Sequence, residues 1–446
     1  MRPIIAWPRL PARAVMALML AIFAILARPG EGLALSVEEL VSGKGIKAWL
    51  VEEHSVPLIA VKFAFAGGAS QDPIGKEGLA AMVADLLTEG AGDLTEEAFK
   101  AKVSSLGLRL SLSASRDAIY GGLETLSSRF APSADLLRLA LTAPRFDEDA
   151  IERVRSQRLT DLAIAANEPN RIAVERWYLE AFPGNPYGRS ADGTPDSVTR
   201  IVRDDLTGQY AKLLARGVLK VVIVGDIDKT AAAAALDTIF GDLPDTAQVT
   251  LLPKVDPRPA PAPVVVEKDQ PSATAVFGLA SLASDHPDFP ALEVLNHIIG
   301  SGDFDASLTE EIRVKRGLAY SVQTGLLHDS ISSILLGAFS TKNDTMASAL
   351  GVLKEVLAAT ARDGPSTGQF DNAKRYLTGS YLLDFDTNAK VASSLLSMWI
   401  DGERPDYLKR RNQKINAVTL DDVKRVAREV LKTDRLIVTV VGKPRL

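Results

Sequence analysis

The chain has 446 residues, an ordinary globular composition with 46% hydrophobic and 24% charged residues, and a formal net charge of −5. This charge and the lack of a long basic block argue against nucleic acid as a partner. Because the sequence has no cysteine and only four histidines, it excludes disulfides, thiolate nucleophiles and cysteine-ligated zinc, and it supplies few imidazoles for any other metal site. The length allows two or three domains.

The first 34 residues have the pattern of an export signal. Three arginines precede an unbroken apolar run over residues 14–27, which is too short to span a bilayer comfortably and suits the core of a signal peptide. Small residues at 32–34 predict cleavage after Ala34. An uncleaved membrane anchor is the alternative. We therefore expect export to the periplasm of a Gram-negative host, or secretion, with no stable membrane span after cleavage.

Strand and helix patterns alternate after this segment. Clustered apolar residues predict a strand over 51–67, which Gly67 and Gly68 end. Apolar residues at helical spacing predict a helix that begins near Gly75 and ends at Gly90. Further helices are predicted at 95–106, 133–141, 147–166, 169–182 and 204–214, with strands at 108–113, 118–125 and 219–224.

Two long segments are joined by a proline-rich linker. Five prolines between Thr250 and Val264 fix extended backbone and predict a semi-rigid connection. The 21-residue spacing from Asp204 to Gly225 recurs from Asp421 to Gly442, in each case as a helix followed by an apolar strand. We therefore predict an α+β protein with two similar sheet-plus-helices domains, at residues 35–248 and 265–446, joined by the linker at 249–264.

Residues 308–322 combine a charged helix end, a glycine stop and entry into a strand. Arg313 and Tyr320 lie seven residues apart across Gly317. A guanidinium and a phenol so placed could reach one cleft and hold a carbonyl oxygen as it gains negative charge. The alternative, which spacing alone favours, is a solvated helix arginine beside a packed strand tyrosine.

The run Arg-x-Lys-Arg-Gly-Leu-Ala-Tyr-Ser-Val at 313–322 resembles a signature of the pitrilysin/insulinase-type zinc peptidases, which include the mitochondrial processing peptidases. The turn-rich loop at 185–195 resembles a second segment of that family. The resemblance implies two similar halves that close like a clamshell around a chamber. It also implies that Arg313 and Tyr320 bind substrate and stabilise the tetrahedral intermediate.

The same resemblance shows where the metal motif should be. In active members a Gly-Leu-Ala lead-in precedes His-x-x-Glu-His, whose imidazoles bind zinc and whose glutamate activates water. Here the lead-in is present at 78–80, and the motif positions read Ala81, Met82, Val83, Ala84 and Asp85. The family's third ligand falls near Asp161. Two carboxylates without an imidazole make a poor zinc site, although weak binding of a harder cation is an alternative to solvated aspartates.

Some members of this family work as heterodimers in which one subunit carries zinc and the other carries the Arg/Tyr pair. We predict that this chain binds no cofactor itself and is the non-zinc subunit of an exported heterodimeric metallopeptidase. It would be inactive alone, with zinc in a His-x-x-Glu-His paralogue and a peptide as substrate. The alternative is a catalytically inactive peptide-binding or assembly protein of the same fold.

Overall fold

The computed structural model describes residues 35–446, of which residues 37–446 form one compact unit. The predicted signal peptide, residues 1–34, lies outside the described residues. None of the helices in the described part of the chain combines the length and apolar character that crossing a bilayer requires. We use "first half" for residues 35–248 and "second half" for residues 265–446.

A six-stranded sheet lies at the centre of the first half. Its strands are β1 (Glu38–Val41), β2 (Lys47–Glu52), β3 (Leu58–Ala66), β4 (Arg109–Ala114), β5 (Ala118–Leu126) and β6 (Leu219–Gly225). The order is β1-β2-β6-β3-β5-β4, with β2 parallel to β6 and the other neighbours antiparallel. The strand predicted over 51–67 begins too early, since β3 covers 58–66 and residues 51 and 52 end β2. The chain turns between β2 and β3, where Glu53 accepts the N–H of Ser55 and Pro57 has no N–H to donate.

The helices of the first half follow the predicted pattern closely. They are α1 (Leu79–Leu86), α2 (Glu96–Leu106), α3 (Phe130–Thr142), α4 (Glu148–Ala165), α5 (Pro169–Ala181), α6 (Pro195–Arg200), α7 (Arg203–Leu213) and α8 (Lys229–Phe240). Helix α1 begins later than predicted, because Gly78 has a left-handed backbone with φ of +91° and stands outside the helix as its N-cap. Helices α6 and α8 are additional to the prediction.

The second half repeats this sheet without the first strand. Its strands are β7 (Val264–Glu267), β8 (Ser272–Ala280), β9 (Val322–His328), β10 (Ser333–Lys342) and β11 (Ile437–Gly442). The order β7-β11-β8-β10-β9 reproduces β2-β6-β3-β5-β4, including the parallel first pair. The helices are α9 (Phe289–Asn296), α10 (Met346–Asp363), α11 (Thr367–Gly379), α12 (Asn388–Ile400), α13 (Tyr407–Ala417) and α14 (Leu420–Val430).

The two strand-ending glycines show how closely the halves correspond. Gly225 and Gly442 have φ values of +141° and +146°. A Cβ atom on Gly225 would lie 2.1 Å from the carbonyl oxygen of Leu58, so only glycine fits there. The predicted α+β class and the predicted repeat are therefore confirmed.

Each sheet has one face covered by helices of its own half. In the first half Phe63, Met82 and Leu137 belong to one core between the sheet and helices α1 and α3. In the second half Phe277 and Leu295 belong to the corresponding core. The other face of each sheet must be covered by something else, because an apolar sheet face exposed to water is unfavourable.

Helix α5 of the first half covers the second face of the second sheet. Trp177 is fully buried in a cluster with Val276 and Ile437, and its indole N–H donates to the carbonyl of Ile437 at 3.3 Å. The Thr439 hydroxyl donates to the carbonyl of Ala173 at 2.8 Å. The halves are thus joined through a core, not merely through the linker.

Helix α12 of the second half covers the first sheet in return. The ring of Trp399 stacks on that of Trp49, with centroids 5.0 Å apart and planes 5° apart. The Lys220 ammonium donates to the Trp399 carbonyl at 2.6 Å. The halves therefore exchange one helix each.

A polar cluster lies beside helix α5, which carries Tyr178. Asp117 accepts the backbone N–H of Ser330 at 2.9 Å and its hydroxyl at 2.6 Å, and the Tyr178 hydroxyl donates to Asp329 at 3.0 Å. Burial raises the pKa of both carboxyls, and the nearby negative charge of Asp117 helps to raise the pKa of Asp329 to about 6.

Replacing Trp177 by alanine should lower the free energy of unfolding by about 3–5 kcal/mol, since the change opens a cavity between α5 and the second sheet. Leu179→Ala on the same helix is the control, because Leu179 is 47% exposed and its loss should cost less than about 1 kcal/mol. Urea denaturation measures both. Equal losses in the two variants would contradict a core shared between the halves.

The raised pKa of Asp329 predicts a stability change with pH. Its folded pKa of about 6 exceeds the ordinary value of 3.8, so the folded state holds a proton that the unfolded state has released between these values. Stability should therefore fall as pH rises from about 4 to about 6. Asp329→Asn should weaken this fall, whereas Asp371→Asn, on an exposed position of α11, should not. Melting temperatures across this range test it, and an unaltered pH profile in Asp329→Asn would count against it.

Candidate functional site

Helix α1 carries the positions of the lost metal motif into the core. Ala81, Met82, Val83 and Ala84 are all at most 2% exposed, whereas Asp85 is half-buried. Alanine methyl groups offer no lone pair to a metal and no group to accept a proton from water. These four positions of the helix pack in the core of the first half, and Asp85 is the one polar side chain of the five and reaches the surface.

A buried carboxylate caps the start of this helix. Asp72 accepts the N–H groups of Gly78 and Ala80 at 3.0 Å each and the side-chain amide of Gln209 at 3.1 Å. Burial raises the pKa of Asp72 to about 7 although these donors act to lower it. The cap holds the Gly-Leu-Ala lead-in in place even though the motif that follows is absent.

Asp85 and Asp161 line one cleft of about 370 Å³ together with Arg158 and Asp192. The Arg158 Nε donates to Asp85 at 2.7 Å, and another nitrogen of the same guanidinium lies 3.5 Å from Asp192. Asp161 accepts the side-chain amide of Gln157 at 2.9 Å. Burial raises the pKa of Asp85, and the charge of Arg158 opposes that rise. The two predicted degenerate positions are thus brought together, but around an arginine.

These residues do not fit a zinc ion. Ala81 and Asp85 stand at the positions of the two imidazoles and Ala84 at that of the glutamate, and the Arg158 guanidinium already supplies the positive charge beside Asp85. Within residues 35–446 no group of three or more histidine, cysteine or acidic side chains is arranged to hold a metal. A cation that approached Asp85 would have to compete with the guanidinium. No chemical step through a metal is therefore assigned to this chain.

The segment that carries Arg313 is a π-helical turn. It spans Thr309–Val314, and the N–H of Lys315 donates to the carbonyl of Glu310, five residues earlier, at 2.9 Å. Gly317 follows with φ of +60°, a left-handed conformation that suits glycine. The predicted helix end and glycine stop are present, but the turn is wider than an α-helical one.

Arg313 and Tyr320 are in contact, as the predicted pairing requires. The Arg313 guanidinium carbon lies 4.9 Å from the Tyr320 ring centroid and 4.6 Å from that of Phe304. Tyr320 is 83% exposed and precedes strand β9, and Phe304 is 65% exposed. The alternative of a packed strand tyrosine is therefore wrong. Two exposed aromatic rings flank one guanidinium.

The other cations of this turn are neutralised locally. Lys315 pairs with Glu310 at 3.0 Å and with Glu311 at 2.6 Å, and Arg316 also pairs with Glu311. Among the described residues no carboxylate lies within 4.0 Å of the Arg313 guanidinium. Its N–H donors are thus available to a ligand.

Three residues of these sites were not predicted from the sequence: Phe304, Arg158 and Asp192. Arg158 lies three residues before Asp161, so both share one side of helix α4, and that spacing was a usable signal. Asp192 lies in the loop that carries the second family resemblance. Phe304 follows a glycine-containing stretch without periodicity, and nothing in the sequence indicates that its ring reaches Arg313.

Replacing Arg158 by methionine should leave Asp85 half-buried without its charged partner and lower the free energy of unfolding by about 1–3 kcal/mol. The double variant Asp85→Asn, Arg158→Met should recover part of this loss, because no uncompensated charge remains. Thermal and urea denaturation of both variants measure the coupling. Strictly additive losses would show that the two side chains do not interact.

The chain is similar to proteins of one peptidase family. Residues 200–377 match the family model described as the peptidase M16 inactive domain. The non-peptidase homolog YmxG of Helicobacter pylori is 27% identical over 355 residues, which cover 79% of this chain and 82% of that protein. The mitochondrial-processing peptidase subunit beta of Lentinula edodes is 22% identical over 373 residues, covering 79% and 78% of the two chains.

Solved structures share the fold over nearly the whole chain. A peptidase M16 inactive domain from Pseudomonas fluorescens aligns with a TM-score of 0.86 at 24% identity, covering 92% of this chain and 98% of that one. A protease from Helicobacter pylori aligns with a TM-score of 0.83 at 19% identity, covering 92% and 99%. These likenesses confirm the predicted fold. The match of residues 200–377 confirms the predicted resemblance to the peptidase M16 family, and positions 81–85 of this chain do not read His-x-x-Glu-His.

Proposed function

We propose that this chain is the non-zinc subunit of an exported, two-chain M16 metallopeptidase. A paralogue with His-x-x-Glu-His carries the zinc and hydrolyses the peptide bond. Arg313 and Tyr320 bind the scissile carbonyl and stabilise the negative charge that develops on its oxygen. The single observation that carries the proposal is the contact of the Arg313 guanidinium with two exposed rings, with no carboxylate within 4.0 Å among the described side chains.

The local charges support a ligand-binding role for Arg313. An arginine retained only for solubility or folding could pair with an acidic neighbour, as Lys315 and Arg316 do with Glu311. Arg313 instead contacts rings that leave its N–H donors open. Donors that are fixed in advance and aimed at a developing charge are the largest catalytic contribution in many enzymes.

The first half supports an enzyme in which the metal site and the Arg/Tyr pair lie on two different chains. The helix at the motif positions carries Ala81 and Ala84, and the positive charge beside Asp85 comes from the Arg158 guanidinium. A chain of this composition needs a second one to supply metal and general base. Similarity to a protein named as a subunit, the mitochondrial-processing peptidase subunit beta, is in keeping with a two-chain enzyme.

The proposed location rests on the sequence of residues 1–34. Arginines ahead of a short apolar run and small residues before the predicted cleavage point suit export to the periplasm. Amino-terminal sequencing of the mature protein tests this part, and a start near Leu35 is expected.

A catalytically inactive peptide-binding or assembly protein is the second candidate. It is favoured by the similarity to a protein named as a non-peptidase homolog and by the Arg158–Asp85 pair in the first-half cleft. The two candidates differ in the partner they require. Only the first needs a stoichiometric zinc-bearing chain.

Purification of the tagged mature protein from its host should recover a second chain with His-x-x-Glu-His and bound zinc. In that complex Arg313→Ala should lower peptide cleavage by about 10²–10³-fold, as loss of one oxyanion donor does, while the zinc content stays unchanged. Arg316→Ala is the matched control, since Arg316 already pairs with Glu311.

Full cleavage by the Arg313→Ala complex would refute the catalytic role. Recovery of the protein alone and free of metal would favour the second candidate. Melting temperatures of both variants separate a lost ligand contact from a folding defect.

A further inference from the structure

Phe304, Arg313 and Tyr320 form a surface feature that we call the aromatic bracket. The guanidinium carbon lies 4.6 and 4.9 Å from the two ring centroids, and the rings are 65% and 83% exposed. The rings take up space that water would otherwise fill, so the guanidinium is partly desolvated. Partial desolvation strengthens hydrogen bonds from a cation to an anionic ligand.

The donor geometry of arginine selects the kind of anion. A planar guanidinium presents pairs of parallel N–H groups that match the two oxygens of a carboxylate, and such bidentate pairs are stronger than bonds to a neutral carbonyl. Among the side chains that the structure describes, no carboxylate lies within 4.0 Å of the Arg313 guanidinium. The bracket therefore has the chemistry of an open carboxylate receptor.

Peptide hydrolysis generates such a group. Water adds to the carbonyl carbon, giving an intermediate with two oxygens on one carbon. The C–N bond then breaks, a proton passes to the leaving amine, and the acyl part departs as a carboxylate. The intermediate and the acyl product thus offer the same pair of oxygens to one guanidinium.

We infer that the aromatic bracket binds the C-terminal carboxylate of a peptide, and that Phe304 is a third binding residue beside Arg313 and Tyr320. The inference rests on the proposed function, since it takes the acyl product as the ligand. A cavity of about 480 Å³ shares Phe304 with the bracket and gives room for the side chain of the terminal residue; Asp305 and Glu310 also line it, so it suits an uncharged or basic side chain.

Binding to the purified full chain without partner tests the inference. The probes are three dye-labelled forms of one short peptide built from alanine, glycine, leucine and serine. They are the free acid, the C-terminal amide, and an amide with one internal glutamate. Fluorescence anisotropy gives the affinities. The free acid should bind about 10- to 100-fold more tightly than either amide, as expected for a hydrogen-bonded charge pair.

Variants assign the effect to the bracket. Arg313→Ala should abolish the preference for the free acid. Arg313→Lys should retain only part of the preference, because an ammonium keeps the charge but lacks the two parallel N–H groups of a guanidinium. Phe304→Ala should weaken acid binding several-fold. The controls are Arg316→Ala and Ile74→Ala, the latter removing an apolar side chain that is 91% exposed in the first half, and both should bind like the parent.

Equal binding of acid and amide, or binding of neither up to about 1 mM, would overturn the inference. Equal binding of the free acid and the glutamate-containing amide would overturn the assignment to a peptide terminus. The proposed function fails in a different way. In that case no zinc-bearing partner and no Arg313-dependent cleavage are found, yet the acid preference persists. Conversely, Arg313-dependent cleavage without acid preference would leave the function standing and remove this inference.

Discussion

The rest of the structure depends on the exchange of one helix between the halves. A sheet with helices on one side only would leave its other apolar face in water, and in each half the helices of that half lie on one face. Trp177 on α5 and Trp399 on α12 close the two open faces, each against the sheet of the opposite half. Each half therefore has one core of its own, and a further core is shared between the halves.

This sharing explains why a half without a metal motif is retained intact. Helix α5 follows directly after helix α4, which holds Arg158 and Asp161, so the segments that line the first-half cleft also deliver Trp177 to the second sheet. Loss of zinc chemistry removes a few ligands. Loss of the first half would remove helix α5 from the second sheet. That sheet includes β9, the strand that follows Arg313 and Tyr320.

Without a metal ion, the carboxylates of the first-half cleft need another positive charge, and arginines supply it. Carboxylates in a cleft are stable as anions only if positive charge lies near them, and uncompensated burial raises their pKa. Arg158 bonds Asp85 and approaches Asp192, and Arg171 bonds Asp192 as well. The cleft is thereby held together by ion pairs in which Arg158 and Arg171 offset the charges of Asp85 and Asp192.

Features that depend on residues close in sequence, such as the repeat, could be predicted from the sequence. Features that depend on contacts between residues far apart in sequence or on an irregular turn could not. The spacing from Asp204 to Gly225 was enough to find the repeat, because a helix, a strand and a glycine with positive φ leave a pattern in one short segment. The division of residues 51–67 into two strands depends on pairing of both with β6, which is about 170 residues away in sequence. The contact of Phe304 with Arg313 depends on an irregular turn, for which no periodicity exists.

The contrast within one turn is the strongest argument that Arg313 is kept for a ligand. Lys315 and Arg316 lie within three residues of it and both form ion pairs with glutamates of the same turn, so acidic partners were within reach of this segment. Exposed ion pairs of that kind contribute little to the free energy of folding, and aromatic rings that stay exposed do not contribute the free energy that burying them would give. An arrangement that leaves Phe304 and Tyr320 in solvent around an unpaired guanidinium therefore has little value for folding. Its value lies in what the guanidinium can still bind.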